Sequence, residues 1–149
     1  MLTISAKVSK SKSGKRILLV DDEPDVTMLF SMVLNASNGF DVHSFNDPLV
    51  ALSNFKPDYY NLAILDVKMP NMNGFELYAE MKKKDSKIRA CFITATDKIN
   101  YESLGKKKQE TGAQEDMIKE YCTLNKDMFL QKPISNKDLL LEINKRIRE

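Results

Sequence analysis

The chain has 149 residues, a length typical of one compact domain. Hydrophobic residues make up 42% and charged residues 30%, which excludes wholesale disorder, and no apolar run reaches the about eighteen residues of a membrane span. The formal net charge is +2, yet residues 1–16 hold five basic residues and no acidic one, so the remainder has a net charge of −3. Two cysteines without a zinc-ligand pattern predict no disulfide framework and a reducing, cytoplasmic location.

The basic N-terminus gives way to a different pattern after Gly14. We therefore predict a basic, flexible tail over residues 1–14 and a folded domain over residues 15–149. Such a tail is typical of a solubilising leader, and contact with nucleic acid or acidic lipid is the alternative.

The first half of the domain alternates apolar runs with helical periodicity. Ile17–Val20 predicts a strand covered on both faces, and Phe40–Phe45 predicts a weaker second strand. Between them, Pro24 opens a helix that closes near Gly39. Its apolar positions are Val26, Leu29, Phe30, Val33 and Leu34. After Asp47 and Pro48 a short helix is expected, with Leu49, Leu52 and Phe55 buried.

The second half continues the alternation. Leu62–Leu65 is the third predicted strand, and a helix is expected from about Gly74 to Lys84. The fourth and fifth strands are Cys91–Ile93 and Met128–Leu130, and the last helix runs over roughly Asn136–Arg148. Its apolar side holds Leu139, Leu140, Ile143 and Ile147, and Ser135 with Asp138 resembles a capping box at its start. Strands that alternate with helices predict an α/β fold with a parallel sheet covered on both faces.

The stretch from Ala95 to Met128 is longer than one helix and two loops require. We predict an enlarged fourth-helix region with a helix over Gln114–Thr123, a shorter one over Lys98–Leu104 and a mobile link over Gly105–Gly112. One hypothesis makes this region a partner-specific surface. The other packs its apolar stripe on the sheet as an ordinary fourth helix.

Charged and polar residues follow the predicted strands at their carboxyl ends. Asp21, Asp22 and Glu23 follow the first strand, Asp66 the third, Thr94 the fourth and Lys132 the fifth. Carboxylates that meet at one edge of a parallel sheet repel each other, and a hard divalent cation such as Mg²⁺ relieves that repulsion. Aspartate, Mg²⁺, lysine and a hydroxyl around one point are what a phosphoryl transfer requires.

These segments resemble the response-regulator receiver domain of two-component signalling. The matching segments, in the family's order, are ILLVDDEP, LAILDVKMPNMNGFEL, FITA and FLQKPI. The resemblance covers about residues 15–149, and the enlarged fourth-helix region is its main departure. It implies a flavodoxin-like, doubly wound, five-stranded parallel sheet of strand order 2-1-3-4-5 with helices on both faces.

The resemblance also implies roles for five residues around the phosphoryl group. Asp66 resembles the phosphoryl acceptor, and Asp21 and Asp22 resemble the acidic pair that holds Mg²⁺. Asp66 and the main-chain carbonyl of Lys68 complete the protein's share of the metal ligands. Lys132 resembles the lysine that pairs with the phosphoryl oxygens.

Two further residues resemble the family's switch, and a third resembles its cis proline. Thr94 matches the hydroxyl that moves toward the phosphoryl group, and Phe129 matches the aromatic residue that rotates in response. Pro133 resembles the family's cis proline, which turns the preceding lysine inward. The output surface implied is the face made by the predicted fourth helix, the fifth strand and the last helix.

Each of these residues also has an ordinary structural interpretation. Asp21 and Glu23 suit the capping of a helix, and Lys132 suits an exposed position before a turn. Thr94 is equally a β-branched residue at a strand end, and Phe129 is equally a core residue. The single histidine, His43, is expected to be packing or exposed.

The function implied is a stand-alone response regulator. It accepts a phosphoryl group on Asp66 from a histidine kinase or histidine phosphotransfer protein and signals by partner binding or phosphorelay, without being a turnover enzyme. A phosphorylation-independent interaction module is one alternative. An aspartate-nucleophile phosphatase is disfavoured because Lys68 stands where such enzymes place a second aspartate. Nucleic-acid binding through residues 1–16 is a further alternative.

Overall fold

A computed structural model of the protein describes residues 14–95 and 128–147. Five parallel strands form one sheet in the order β2-β1-β3-β4-β5. The strands are β1 (Arg16–Val20), β2 (Asp41–Phe45), β3 (Leu62–Asp66), β4 (Ala90–Ala95) and β5 (Phe129–Lys132). The helices of this part of the chain are α1 (Pro24–Asn38), α2 (Pro48–Asn54), α3 (Gly74–Lys84) and α4 (Asn136–Ile147). The expected flavodoxin-like α/β fold and its strand order are confirmed.

The two faces of the sheet each carry a separate hydrophobic core. Successive side chains of a strand point to opposite faces, so Leu18 and Leu19 in β1 enter different cores. Helices α1 and α4 cover the face of Leu19, and helices α2 and α3 cover the face of Leu18. This double covering explains why the central strands β1 and β3 are continuous apolar runs.

The helix starts agree with the predicted signals. The Asp47 side chain accepts a hydrogen bond from the Leu49 N–H, and Ser135 Oγ accepts one from the Asp138 N–H. At the start of α3, Asn73 and Glu76 form a complete capping box. Helix α1 ends at Asn38, and the following Gly39 has a φ of 64°, the left-handed conformation typical of that position.

Two leucines predicted to be buried are exposed, Leu29 by 49% and Leu49 by 47%. The buried side of α1 consists of Thr27, Phe30 and Leu34. Successive residues of a helix are rotated by about 100°, so Leu29, one position before Phe30, points away from the buried side. In α2 the buried line likewise runs through Pro48, Ala51 and the following Phe55, so Leu49 turns outward. In both helices, the apolar residues extend beyond the side that is buried against the sheet.

The last two strands extend further than predicted. Strand β4 continues to Ala95 and β5 to Lys132, so Thr94 and Lys132 belong to strands rather than to the loops behind them. The predicted helices Lys98–Leu104 and Gln114–Thr123 and the link Gly105–Gly112 lie outside the described residues. The boundary between a tail over 1–14 and a domain over 15–149 stays a prediction. In the described ranges, no helix has the length and apolarity needed to cross a bilayer.

Candidate functional site

The strand registers bring the predicted site residues to one edge of the sheet. Asp66 ends β3 beside Ile93, and Lys132 ends β5 beside Ala95. Asp21 directly follows β1, whose Val20 pairs with Leu65. The carboxyl ends of parallel strands therefore collect an aspartate from β1, an aspartate from β3 and a lysine from β5, the place where ligands bind in this class of fold.

Three carboxylates lie together at this edge. Asp21, Asp22 and Asp66 each offer a carboxylate oxygen, and the three oxygens lie within 4.8 Å of one another. Asp21 and Asp66 are buried, with 3% and 1% of their surface exposed, and Asp22 is half-buried. Carboxylates that lie this close together and this well shielded from water need a nearby positive charge, because their mutual repulsion is otherwise costly.

Lys132 supplies one positive charge to the cluster. Its Nζ donates a hydrogen bond to Asp21 Oδ2 at 2.6 Å and lies 3.7 Å from Asp66 Oδ1. Burial lowers the pKa of Lys132, but the hydrogen bond to Asp21 and the negative charges of Asp66, Asp21 and Glu23 outweigh that effect and raise the pKa above its ordinary value. Only 16% of the Lys132 side chain is exposed, which disagrees with the alternative interpretation of Lys132 as an exposed residue before a turn. The Lys132–Pro133 peptide bond is cis, as the resemblance implied.

Asp21 is positioned by contacts that do not involve helix capping. Its Oδ1 accepts a hydrogen bond from the Glu23 N–H at 3.0 Å, and its main-chain N–H donates to the Phe45 carbonyl. Glu23 is the N-cap residue of α1 but makes no capping hydrogen bond with its side chain. The structure therefore does not support the interpretation that Asp21 and Glu23 serve only as helix caps.

Asn46 and Thr27 support the site, and the sequence analysis missed both. Asn46 Nδ2 donates to the main-chain carbonyl of Asp21 at 2.8 Å and to Thr27 Oγ1 at 2.9 Å. Thr27 Oγ1 in turn donates to the Pro24 carbonyl. This chain of hydrogen bonds ties the end of β2 and the first turn of α1 to the Asp21 backbone. A polar residue on the apolar side of a predicted helix, Thr27, was the available signal.

The loop after Asp66 is clamped by the start of α3. The Gly74 N–H donates to the Val67 carbonyl at 2.9 Å, and a Cβ at Gly74 would lie 2.4 Å from the Asp66 main-chain oxygen. Only glycine fits this close approach of two backbones. The clamp fixes the chain on both sides of Lys68, whose side chain is exposed while its main chain passes two residues beyond Asp66.

Thr94 and Phe129 lie on the same face of the sheet as α3. Thr94 is fully buried, and Phe129 is half-buried with its ring 5.4 Å from Phe92 and 5.9 Å from Phe75, measured between centroids. Phe92 pairs with Phe129 and Thr94 with Gln131 across β4 and β5. Phe129 thus packs on the core, and its switching role stays a prediction. His43 lies elsewhere, with its ring nitrogens against Tyr60 and Asp41.

The donor set fits a hard divalent cation. Three carboxylates within 4.8 Å provide oxygen ligands only, and a cation of the Mg²⁺ class binds through few carboxylates while it keeps several waters. At the same edge the Asp66 carboxylate lies beside a lysine that can neutralise an anion, and a carboxylate oxygen is chemically able to act as a nucleophile. The arrangement suits the transfer of a phosphoryl group to a carboxylate.

Comparisons with known proteins identify the family. The profile described as response regulator receiver domain matches residues 17–109. The CpxR homolog transcriptional regulatory protein of Haemophilus influenzae is 33% identical over 133 residues, which cover 89% of this chain and 50% of that protein. Sporulation initiation phosphotransferase F of Bacillus subtilis is 31% identical over 87 residues, 58% of this chain and 69% of that protein.

Solved structures give the same result. The non-phosphorylated HemR receiver domain from Leptospira biflexa has a TM-score of 0.68 at 25% identity and covers 91% of this chain and 95% of its own. A CheY-like receiver domain protein from Methanospirillum hungatei has a TM-score of 0.69 at 22% identity, with 90% and 94% covered. The chain belongs to the response regulator receiver domain family. It spans about half the length, or less, of the first curated relatives that it matches.

Proposed function

We propose that this receiver domain accepts a phosphoryl group on Asp66 from a phosphohistidine and signals through the surface that responds to it. Receiver domains are signalling modules rather than turnover enzymes, and their phosphoryl donors are histidine kinases or histidine phosphotransfer proteins. The observation that carries the proposal is the cluster of Asp21, Asp22 and Asp66, with Lys132 bound between two of them.

Asp66 acts as the nucleophile in this reaction. One of its carboxylate oxygens forms a bond to phosphorus while the N–P bond of the phosphohistidine breaks. The released nitrogen keeps the electron pair of that bond, and the ring, already protonated on its other nitrogen, leaves as neutral imidazole. Lys132 Nζ, already 3.7 Å from Asp66 Oδ1, neutralises phosphoryl oxygens that arrive there. Because Gly74 and Val67 hold the loop after Asp66, the carboxylate keeps its position while the phosphoryl group approaches.

The side chains of Asp21, Asp22 and Asp66 and the main-chain carbonyl of Lys68 would hold the cation. Bound Mg²⁺ supplies charge neutralisation for the phosphoryl oxygens. The hydrogen bond from Asn46 to the Asp21 carbonyl keeps Asp21 in place for this role, and Lys132 shields the carboxylates from one another without the cation.

The signal is carried by Thr94 and Phe129. The Thr94 hydroxyl moves toward the phosphoryl group, and Phe129, packed on Phe92 and Phe75, rotates into the space that Thr94 vacates. The output surface then includes β5 and α4. We expect fluorine NMR of protein with fluorinated phenylalanine to show a shifted Phe129 resonance with beryllofluoride. That shift is lost in Thr94→Ala, and an unchanged resonance in the wild type contradicts the switch.

The experiment is phosphorylation by acetyl phosphate, followed by intact mass. Wild type with Mg²⁺ is expected to gain one phosphoryl group, and Asp66→Asn or the wild type with a chelator gains none. Asp58→Asn, a matched substitution at an exposed aspartate remote from the site, is expected to label as the wild type does. Equal labelling of Asp66→Asn and the wild type contradicts the proposal.

Two finer statements belong to the same proposal. Output occurs by partner binding or by transfer to a second histidine protein, and the domain acts in the cytoplasm. Failure to label with any donor, together with failure to bind beryllofluoride, favours a phosphorylation-independent module. Sustained Mg²⁺-dependent hydrolysis of a generic phosphomonoester favours a phosphatase.

A further inference from the structure

Exposed hydrophobic side chains are concentrated on one side of the domain. In the part of the chain that the structure describes, six large hydrophobic residues are exposed, and four of them belong to α1 and α4. These four are Met28, Leu29, Met32 and Leu141. The other two, Leu49 and Val50, belong to α2 on the opposite side of the sheet. Such a concentration is typical of a surface that binds another molecule.

Helices α1 and α4 form one layer with a common outer surface. They pack against each other and bury their inner sides in the same core, α1 through Phe30 and Leu34 and α4 through Leu139 and Ile143. Because each helix follows a strand of the parallel sheet, both begin at the edge that holds Asp66 and run away from it in the same direction. Their exposed sides are called the α1/α4 face below.

Equal positions of the two helices carry complementary residues on the α1/α4 face. The second residue of α1 is Asp25 and the second residue of α4 is Lys137, and both are exposed. The sixth residues are the exposed leucines Leu29 and Leu141. Asp25 is the one charged residue of α1, whose last turn lacks a basic residue, whereas the tenth residue of α4 is an exposed lysine, Lys145. The exposed side of α1 therefore complements the exposed side of α4.

We propose that the α1/α4 face is the interface of a homodimer in which α1 of each copy packs on α4 of its partner. A two-fold axis parallel to the helices produces this arrangement and keeps equal positions of α1 and α4 at the same level. Asp25 then meets the partner's Lys137, and Leu29 packs on the partner's Leu141. The partner's Lys145 reaches the carboxyl end of α1, where a positive charge interacts favourably with the helix dipole.

Charge complementarity selects a second copy as the occupant and selects this symmetry. An uncharged apolar helix would accept many partners, but the lysines of α4 match the acidic start and the carboxyl end of α1 in the same chain. A two-fold axis perpendicular to the helices would instead stack α4 antiparallel on the partner's α4. That arrangement brings Lys137 against the partner's Lys145, and like charges in contact disfavour it.

The size of the face predicts a reversible dimer. The 15 residues of α1 and the 12 residues of α4 give lengths of about 22 and 18 Å at about 1.5 Å per residue. Two adjacent helices of about 10 Å width therefore offer roughly 400 Å² per copy, half of the about 800 Å² of a standard interface. We expect a dissociation constant of about 10–100 µM. Both Asp66 sites then lie at the same end of the dimer.

The first test is sedimentation equilibrium of the full chain at about 5–500 µM. We expect a monomer–dimer equilibrium that Leu29→Gln weakens about tenfold, because a two-fold dimer contains the substituted position twice. Leu49→Gln is the matched control, since Leu49 is 47% exposed in α2 and Leu29 is 49% exposed in α1. It is expected to leave the dissociation constant within about twofold of wild type. Circular dichroism verifies that each variant is folded.

The second test exchanges the charges of Asp25 and Lys137. Asp25→Lys and Lys137→Asp are each expected to weaken the dimer severalfold, because each places like charges together at two points of the interface. When the two variants are mixed, every charge pair of the mixed dimer again joins a lysine to an aspartate. We therefore expect the mixture to dimerise nearly as well as wild type, although neither variant does so alone.

Four results overturn the proposal. A chain that stays monomeric up to about 500 µM leaves the α1/α4 face to a different protein. Equal weakening by Leu29→Gln and Leu49→Gln indicates non-specific hydrophobic association. A mass that keeps rising beyond that of a dimer indicates open assembly. A mixture that dimerises no better than its components contradicts the contact between Asp25 and the partner's Lys137. Because none of these readouts involves phosphorylation, they are independent of the function proposed for Asp66.

Discussion

Lys132 Nζ lies 2.6 Å from Asp21 Oδ2, although 111 positions of the sequence separate the two residues. Two strands, β3 and β4, stand between β1 and β5 in the sheet. The lysine therefore reaches across the carboxyl ends of both strands and passes Asp66 on the way. The ion pair links the end of β1 to the end of β5. Its ammonium group occupies Asp21, so a metal cation has to compete with Lys132 for this carboxylate.

Removal of this charge is expected to strengthen Mg²⁺ binding. In Lys132→Met, the cation no longer shares Asp21 with an ammonium group, and we expect about tenfold tighter Mg²⁺ binding by calorimetry. Without metal the variant is expected to lose about 2 kcal/mol of unfolding free energy, because Asp21 loses its charged partner. Lys137→Met, at an exposed lysine in the first turn of α4, is the control with near-native affinity. Weaker Mg²⁺ binding in Lys132→Met contradicts this account.

The ion pair also predicts a pH dependence of stability. Its partners raise the pKa of Lys132 in the folded state, so the stabilisation is complete below the unfolded pKa of about 10.4 and disappears as pH rises through the folded value. Without Mg²⁺, the stability difference between wild type and Lys132→Met is expected to shrink above about pH 10.4. Urea unfolding at several alkaline pH values measures this stability difference. A stability difference that stays constant over the whole pH range contradicts the prediction.

Gly74→Ala is expected to damage both stability and the site. The added Cβ would meet the Asp66 main-chain oxygen at 2.4 Å, and all three nearest atoms are backbone, so the clamp on the loop must open. We expect a loss of about 2–3 kcal/mol in unfolding free energy and weaker Mg²⁺ binding. Gly14→Ala is the control, since no atom lies within 4 Å of its Cβ and only its φ of 80° opposes the change. Unchanged Mg²⁺ affinity in Gly74→Ala would show that the clamp does not position Asp66.

Asn46→Ala tests the support of Asp21. The substitution removes the donor that holds the Asp21 carbonyl at 2.8 Å, and we expect severalfold weaker Mg²⁺ binding with a stability loss of about 1 kcal/mol. Thr27→Val removes the other partner of Asn46 but leaves the bond to Asp21, so its Mg²⁺ affinity should remain near that of wild type. If Thr27→Val weakens Mg²⁺ binding as much as Asn46→Ala does, then the contact with α1, rather than the hydrogen bond from Asn46 to Asp21, holds Asp21 in place.

Much of the fold was predictable because the local sequence signals agree with the side chains that the structure buries. Strands β1 and β3 are covered on both faces and are unbroken apolar runs, and Pro24, Asp47 and Ser135 mark helix starts. The collection of Asp21, Asp66 and Lys132 at one edge followed from the direction of parallel strands.

The remainder depends on distances between elements, which no local pattern encodes. The role of Gly74 arises only because its backbone meets that of Asp66, and the role of Asn46 only because β2 ends beside Asp21. Leu29 and Leu49 fit an apolar periodicity, but the packing of each helix selected a different line of residues for burial.

The most direct test of the central claim locates the phosphoryl group at a single residue. Borohydride reduces an aspartyl phosphate to homoserine, and peptide mass mapping then reads the converted position. After treatment with acetyl phosphate and Mg²⁺, the account predicts homoserine at position 66 and none at positions 21 and 22. Conversion at Asp21 or Asp22 with Asp66 intact, or no conversion in a protein that has gained a phosphoryl group, would contradict it.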